Sequence, residues 1–104
     1  GIDADSIRPS PMGLFLGLAS QDAPDVHATV RLTSRTAFAV MRCETDVTGL
    51  TIAQHRVTDS VWDITVRVRN WYPGPVSGIA IVVTDDPQTS ELRLPIDGYL
   101  FGRQ

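Results

Sequence analysis

Between Gly78 and Leu100 the chain holds two runs of period-two alternation around one polar break, the feature that most restricts what it can fold into. Ile79, Ile81 and Val83 alternate with Ala80, Val82 and Thr84, Asp85-Asp86-Pro87 interrupts the run, and Leu92, Leu94 and Ile96 resume it. Alternate side chains of an extended strand point to opposite faces, whereas a helix would scatter such a set around its surface. The segment therefore predicts a hairpin closed by the aspartates and proline. Its core side is read as Ile81, Val83 and Leu94.

The same period recurs upstream. Val26, Ala28, Val30 and Leu32 alternate with His27, Thr29, Arg31 and Thr33, and Trp62, Ile64, Val66 and Val68 alternate with Asp63, Thr65, Arg67 and Arg69. Each set describes a strand with one face in the core and one in water. Trp62, Ile64 and Val66 thus join Ile81, Val83 and Leu94 as the predicted centre of the core. Met12 to Leu18 reads as an opening strand after the helix-disfavouring Pro9-Ser10-Pro11. Ala37 to Glu44, with Phe38 and Val40 inward, and Leu50 to Val57 complete the set. No stretch sustains a 3.6-residue apolar repeat, and about seven strands at this spacing predict an all-β antiparallel sandwich. One domain over 12–104 follows from the length, with 1–11 as a lead-in.

Charge narrows the partners. The net charge of -3 and the absence of a basic stripe argue against nucleic acid and anionic lipid, and no apolar run approaches the roughly 20 residues that cross a bilayer as a helix. All nine basic residues are arginine, a usage read as genomic composition rather than nine selected contacts. The chain opens Gly1-Ile2-Asp3 and meets its first methionine at Met12, which is read as a natural start removed or replaced, with a larger parent protein expected.

Three segments carry a resemblance. Ile7-Arg8-Pro9-Ser10-Pro11 leading to Leu14-Phe15-Leu16-Gly17, the Thr84-Asp85-Asp86-Pro87 turn, and the closing Leu94-Pro95-Ile96-Asp97-Gly98 resemble bacterial Ig-like domains of unknown function, similar to the abnormal spindle and hydin (ASH) type of sandwich. The resemblance implies a seven-stranded antiparallel Ig-like β-sandwich, a cell-envelope or secreted setting, and no catalytic residues to carry over. Many members show a cysteine-rich turn where this chain has only Cys43 in Cys43-Glu44-Thr45-Asp46, so a redox or metal role implied by such a turn does not transfer.

The residues offer little chemistry. One cysteine excludes an internal disulfide, and Cys43 beside Val40 and Met41 reads as a small buried hydrophobe. Asp85, Asp86 and Asp97 lack the spacing of a known calcium loop, and turn chemistry accounts for the first two. His27 and His55 lack zinc-ligand spacing. There is no G-x-S-x-G elbow and no Gly-rich phosphate loop. The reading is a protein that is not an enzyme and has no cofactor or metal. Trp71 and Tyr72, in a Pro/Gly loop, are the candidate partner-binding residues, since exposed aromatics offer large rigid contact area. Two functions remain: a structural or protein-interaction module, engaging a protein partner or neighbouring domain, and a carbohydrate-binding sandwich that stacks sugar on Trp71 and Tyr72. Leu50 to Val57 and Met12 to Leu18 are the expected sheet edges; the second is free of charge and thus open to pairing with another copy.

Overall fold

The computed structural model describes residues 6–103. Eight strands follow in order: β1 (Arg8–Ser10), β2 (Leu14–Ser20), β3 (His27–Thr33), β4 (Val40–Thr45), β5 (Leu50–Thr58), β6 (Val61–Val68), β7 (Gly74–Thr84) and β8 (Glu91–Phe101). They form two four-stranded sheets, β1-β3-β6-β5 and β2-β8-β7-β4, and no helix occurs among the described residues. The all-β sandwich is as expected. The strand count of seven is corrected to eight, because the lead-in itself carries β1.

β1 pairs antiparallel with β3 through Arg8↔Thr33, Pro9↔Leu32 and Ser10↔Arg31. A proline is tolerated there because the strand is short and at a sheet edge. The chain then crosses at Pro11 to Gly13 into the other sheet, where β2 runs parallel to β8. The expected purely antiparallel pairing fails at this one ladder, since both halves of a split first strand run in the same direction. Ile7, at 4% exposure, already belongs to the core.

The first sheet follows its alternation faithfully. Ala28↔Val66, Val30↔Ile64 and Leu32↔Trp62 are cross-strand partners that share the inner face. Their sheet-mates on the outer face are polar and satisfy one another. Thr29 and Thr65 hydroxyls meet at 2.8 Å, and the Arg31 guanidinium donates to both Asp63 oxygens at 2.9 and 3.1 Å. Arg67 pairs with Asp25.

In the second sheet the β7 phase is opposite to the expected one. Val76, Ala80, Val82 and Thr84 are buried, while Ile81 and Val83 lie half-buried on the outer face. The ladder sets this: Ala80 opposes Leu94 and Val82 opposes Leu92, so the even residues of both strands share a face. Thr84 tolerates burial because its hydroxyl donates to the Thr89 carbonyl and accepts from the Asp86 amide. Ile64, Val66 and Leu94 are core as expected. Trp62 is half-buried at the core margin, its Nε1–H donating to the Phe38 carbonyl at 3.0 Å. Phe38 is buried, though it reaches the core from the loop before β4 rather than from a strand. The Gln54 amide donates to the Val40 carbonyl at 2.8 Å and ties β5 to β4 across the open side of the sandwich.

Candidate functional site

The outer faces of the two sheets differ in chemistry. The β3/β6 face is threonine, arginine and aspartate, already paired within the sheet. On the other sheet, β2 and the end of β8 present apolar side chains on their outer face, with Asp97 among them and Glu91 and Arg93 farther along β8. Of the eight large apolar side chains exposed among the described residues, five lie on β2 and β8 or just before β2: Met12, Phe15, Leu18, Tyr99 and Phe101. Leu18 is 78% exposed, and the Tyr99 and Phe101 rings sit with centroids 4.9 Å apart at 48°. A concentration of this kind at one sheet edge, rather than scattered single residues, is what an interaction surface requires.

A bulge builds the patch. Phe15 pairs with Asp97, but Gly17 pairs with Gly98, so Leu16 is the extra residue. Gly17 adopts φ +70°, which glycine alone takes without strain. Beyond the bulge Leu18 is paired with Tyr99 on the outer face, and Ala19 with Leu100 on the inner one. The two glycines leave a recess of about 330 Å³ bounded by Phe15, Leu18, Asp97 and Tyr99. β2 is at the edge of its sheet, so its outer backbone groups have no strand beyond them among the described residues. The other expected edge, Leu50 to Val57, also lies at an edge, as β5.

Trp71 and Tyr72 divide between structure and surface. The Trp71 indole packs against the core and donates to the Phe101 carbonyl at 2.8 Å, sealing one end of the sandwich. Tyr72 is 56% exposed and lies over Gly49, where an added Cβ would meet its ring at 2.8 Å and the Asn70 carbonyl at 2.6 Å. Asp46, Thr48, Asn70 and Ser77 line a groove of about 260 Å³ beside it.

The remaining candidates serve turns. Asp85 accepts from the Ala39 amide at 2.8 Å, fastening the β7–β8 turn to the β3–β4 loop, and Asp86 accepts from Gln88 at 2.9 Å. Asp97 accepts from the Gly98 amide at 3.0 Å. His27 and His55 are exposed on the polar face. No group of three potential metal ligands occurs among the described residues. Cys43 is half-buried rather than fully buried, opposite Val82, and burial pushes its thiol pKa up, which disfavours the reactive thiolate.

No family model and no curated protein matches the chain. Solved structures do. A protein of unknown function from Porphyromonas gingivalis superposes with a TM-score of 0.67 at 13% identity, over 92% of this chain and 47% of that one. The BIgI domain of beta protein from S. agalactiae, solved bound to CEACAM1, superposes with a TM-score of 0.53 at 10% identity, over 95% of this chain and 98% of that one. The fold is an Ig-like β-sandwich. The secreted serine protease VesC from Vibrio cholerae gives a TM-score of 0.51 at 9% identity, over 86% of this chain and 23% of that one. The Ig-like domain thus spans less than half of two of these chains. At such identities the likeness concerns the fold, and kinship with the ASH type rests on the sequence motifs alone.

Proposed function

We propose that this Ig-like domain is a non-catalytic protein-interaction module of a larger bacterial envelope or secreted protein, and that it meets its partner with β2 and the adjoining outer face of β8. The observation that carries the reading is the collection of Met12, Phe15, Leu18, Tyr99 and Phe101 around the edge strand β2, which itself carries no charge and has Asp97 of β8 as its one charged neighbour in the recess, opposite a sheet whose outer face is polar. An added strand takes its affinity from the backbone ladder and its selectivity from side-chain recesses, and this edge offers both. The similar BIgI domain, bound to CEACAM1, and the similar secreted protease support the protein-binding and extracytoplasmic parts of the reading. The partner is a neighbouring domain or a separate protein, a second copy included.

The test is site-specific photocrosslinking in the native full-length protein. A photoreactive residue at Leu18 should yield one discrete adduct that the same residue at Thr29, on the polar face, does not. Identical adducts at both positions, or none at either, would remove the reading.

The second reading is glycan binding at the Tyr72 groove, favoured by one exposed ring beside Asp46, Asn70 and Ser77. With Trp71 committed to the sandwich end, the two-ring platform reduces to Tyr72. Glycan titration should then leave tryptophan emission nearly unchanged while a Tyr72→Ala exchange abolishes binding. Binding that survives the exchange would discard the groove.

A further inference from the structure

The face that β2 presents is complementary to itself. On the outer side it carries two apolar projections, Phe15 and Leu18, with the glycine-floored recess between them. A two-fold axis brings such projections and recesses together reciprocally, because residue i then meets j while j meets i. Resting on the interaction reading above, we propose that the occupant of this edge is a second copy of the chain, paired antiparallel β2 to β2.

The bulge selects the register. In an antiparallel pair, directly opposed residues share a face. Within β2 the inner residues are Leu14, Leu16 and Ala19, and the outer ones are Phe15, Leu18 and Ser20, as their β8 partners dictate, while Gly17 is exposed and has no side chain to place. Centring the two-fold on Leu16 places inner Leu14 against outer Leu18, and centring it on Gly17 places outer Phe15 against inner Ala19. Centring it between Leu16 and Gly17 satisfies every pair: Leu14 opposes Ala19, Leu16 opposes Gly17, and Phe15 opposes Leu18 of the other copy, twice.

Charge and area both bear on the occupant. β2 contains no ionisable residue, so two copies with net charge -3 bring no like charges into the ladder itself. The other long edges are less permissive: β4 carries Arg42 and Glu44, and β5 carries His55 and Arg56 with a bulge of its own. The exposed parts of Met12, Phe15, Leu18, Tyr99 and Phe101 amount to roughly 600 Å² if a large side chain offers about 200 Å². A standard interface takes about 800 Å² per partner. The patch with its backbone ladder therefore suits a weak, concentration-dependent dimer rather than an obligate one.

Sedimentation velocity from about 10 µM to about 1 mM brackets the affinity expected of such an interface. The wild-type chain should pass from monomer to dimer across this range. Phe15→Glu and Leu18→Arg, both at exposed positions, should each remain monomeric with an unchanged melting profile. Mixed in equal amounts they should associate, because the register sets the introduced carboxylate of one chain against the introduced guanidinium of the other. Ala53→Arg, on the β5 edge, should dimerise like wild type. A wild-type monomer at every concentration, a result needing no variant, overturns the second copy as occupant while leaving the edge for a different protein. Monomeric variants that fail to associate on mixing overturn the register and with it the proposal. Dimers lost only in Ala53→Arg overturn both this proposal and the assignment of the interaction to β2.

Discussion

Asp63 shows how the polar sheet face is held. Hydrogen bonds from the Arg31 guanidinium keep its carboxyl below the usual carboxylate range, against partial burial that pushes the other way, with the charges of Arg31 and His55 adding to the lowering. A carboxyl whose folded pKa is depressed contributes stability that is complete above its unfolded pKa, about 3.9, and disappears as pH falls through the folded value. The carboxyl is partly solvated, so its contribution is at most about 1 kcal/mol. Asp63→Asn should accordingly lower stability slightly at pH 7, and the gap to wild type should close as pH falls below about 4. Denaturant unfolding as a function of pH measures it. A gap that stays constant down to pH about 2 would assign the loss to packing rather than to the ion pair.

At the scale of elements, what the sequence makes legible depends on how unequal the two faces of a strand are. β3 and β6 set Val, Ile, Leu and Trp against Thr, Arg and Asp, and their inner faces follow the alternation. β7 sets Ile79, Ile81 and Val83 against Ala80, Val82 and Thr84. Both sets are nearly apolar, so hydrophobicity does not choose between them. The choice falls to the pairing with β8 and to the satisfied hydroxyl of Thr84, neither of which is a property of β7 read alone. Val82→Ala should therefore cost about 2 kcal/mol, the transfer value of a fully buried side chain, and Val83→Ala less than half as much. Equal costs by chemical denaturation would contradict the assigned faces. The β2 edge was legible as a charge-free strand, but the face its side chains share was hidden for a related reason. Phe15 and Leu18 are three residues apart, an odd spacing that puts them on opposite faces of a regular strand. Only the bulge at Leu16-Gly17 brings them to the same side. Trp71 and Tyr72 were legible as prominent loop aromatics, but which ring would turn inward depends on the Phe101 carbonyl, thirty residues away in sequence.

For the molecule as a whole, the topology makes Ile7 and β1 part of the folded domain. The first strand is divided between the two sheets, with β1 on β3 and β2 on β8, so the lead-in closes one sheet before the chain crosses to the other. Ile7 is 4% exposed within the shared core, and its amide reaches the Thr89 hydroxyl at 3.4 Å. A chain beginning at Met12 would lose that side chain, the β1–β3 ladder and the cover on the outer edge of β3. Burial of one isoleucine alone is worth roughly 2 kcal/mol, a substantial share of the 5–15 kcal/mol typical of a domain. Chemical denaturation of residues 12–104 against the full chain should show at least that loss. The slope of the transition should fall only slightly, since little of the total surface is removed. A loss below about 0.5 kcal/mol, the range of ordinary surface changes, would mean that β1 adds nothing to the fold and that the domain begins at β2.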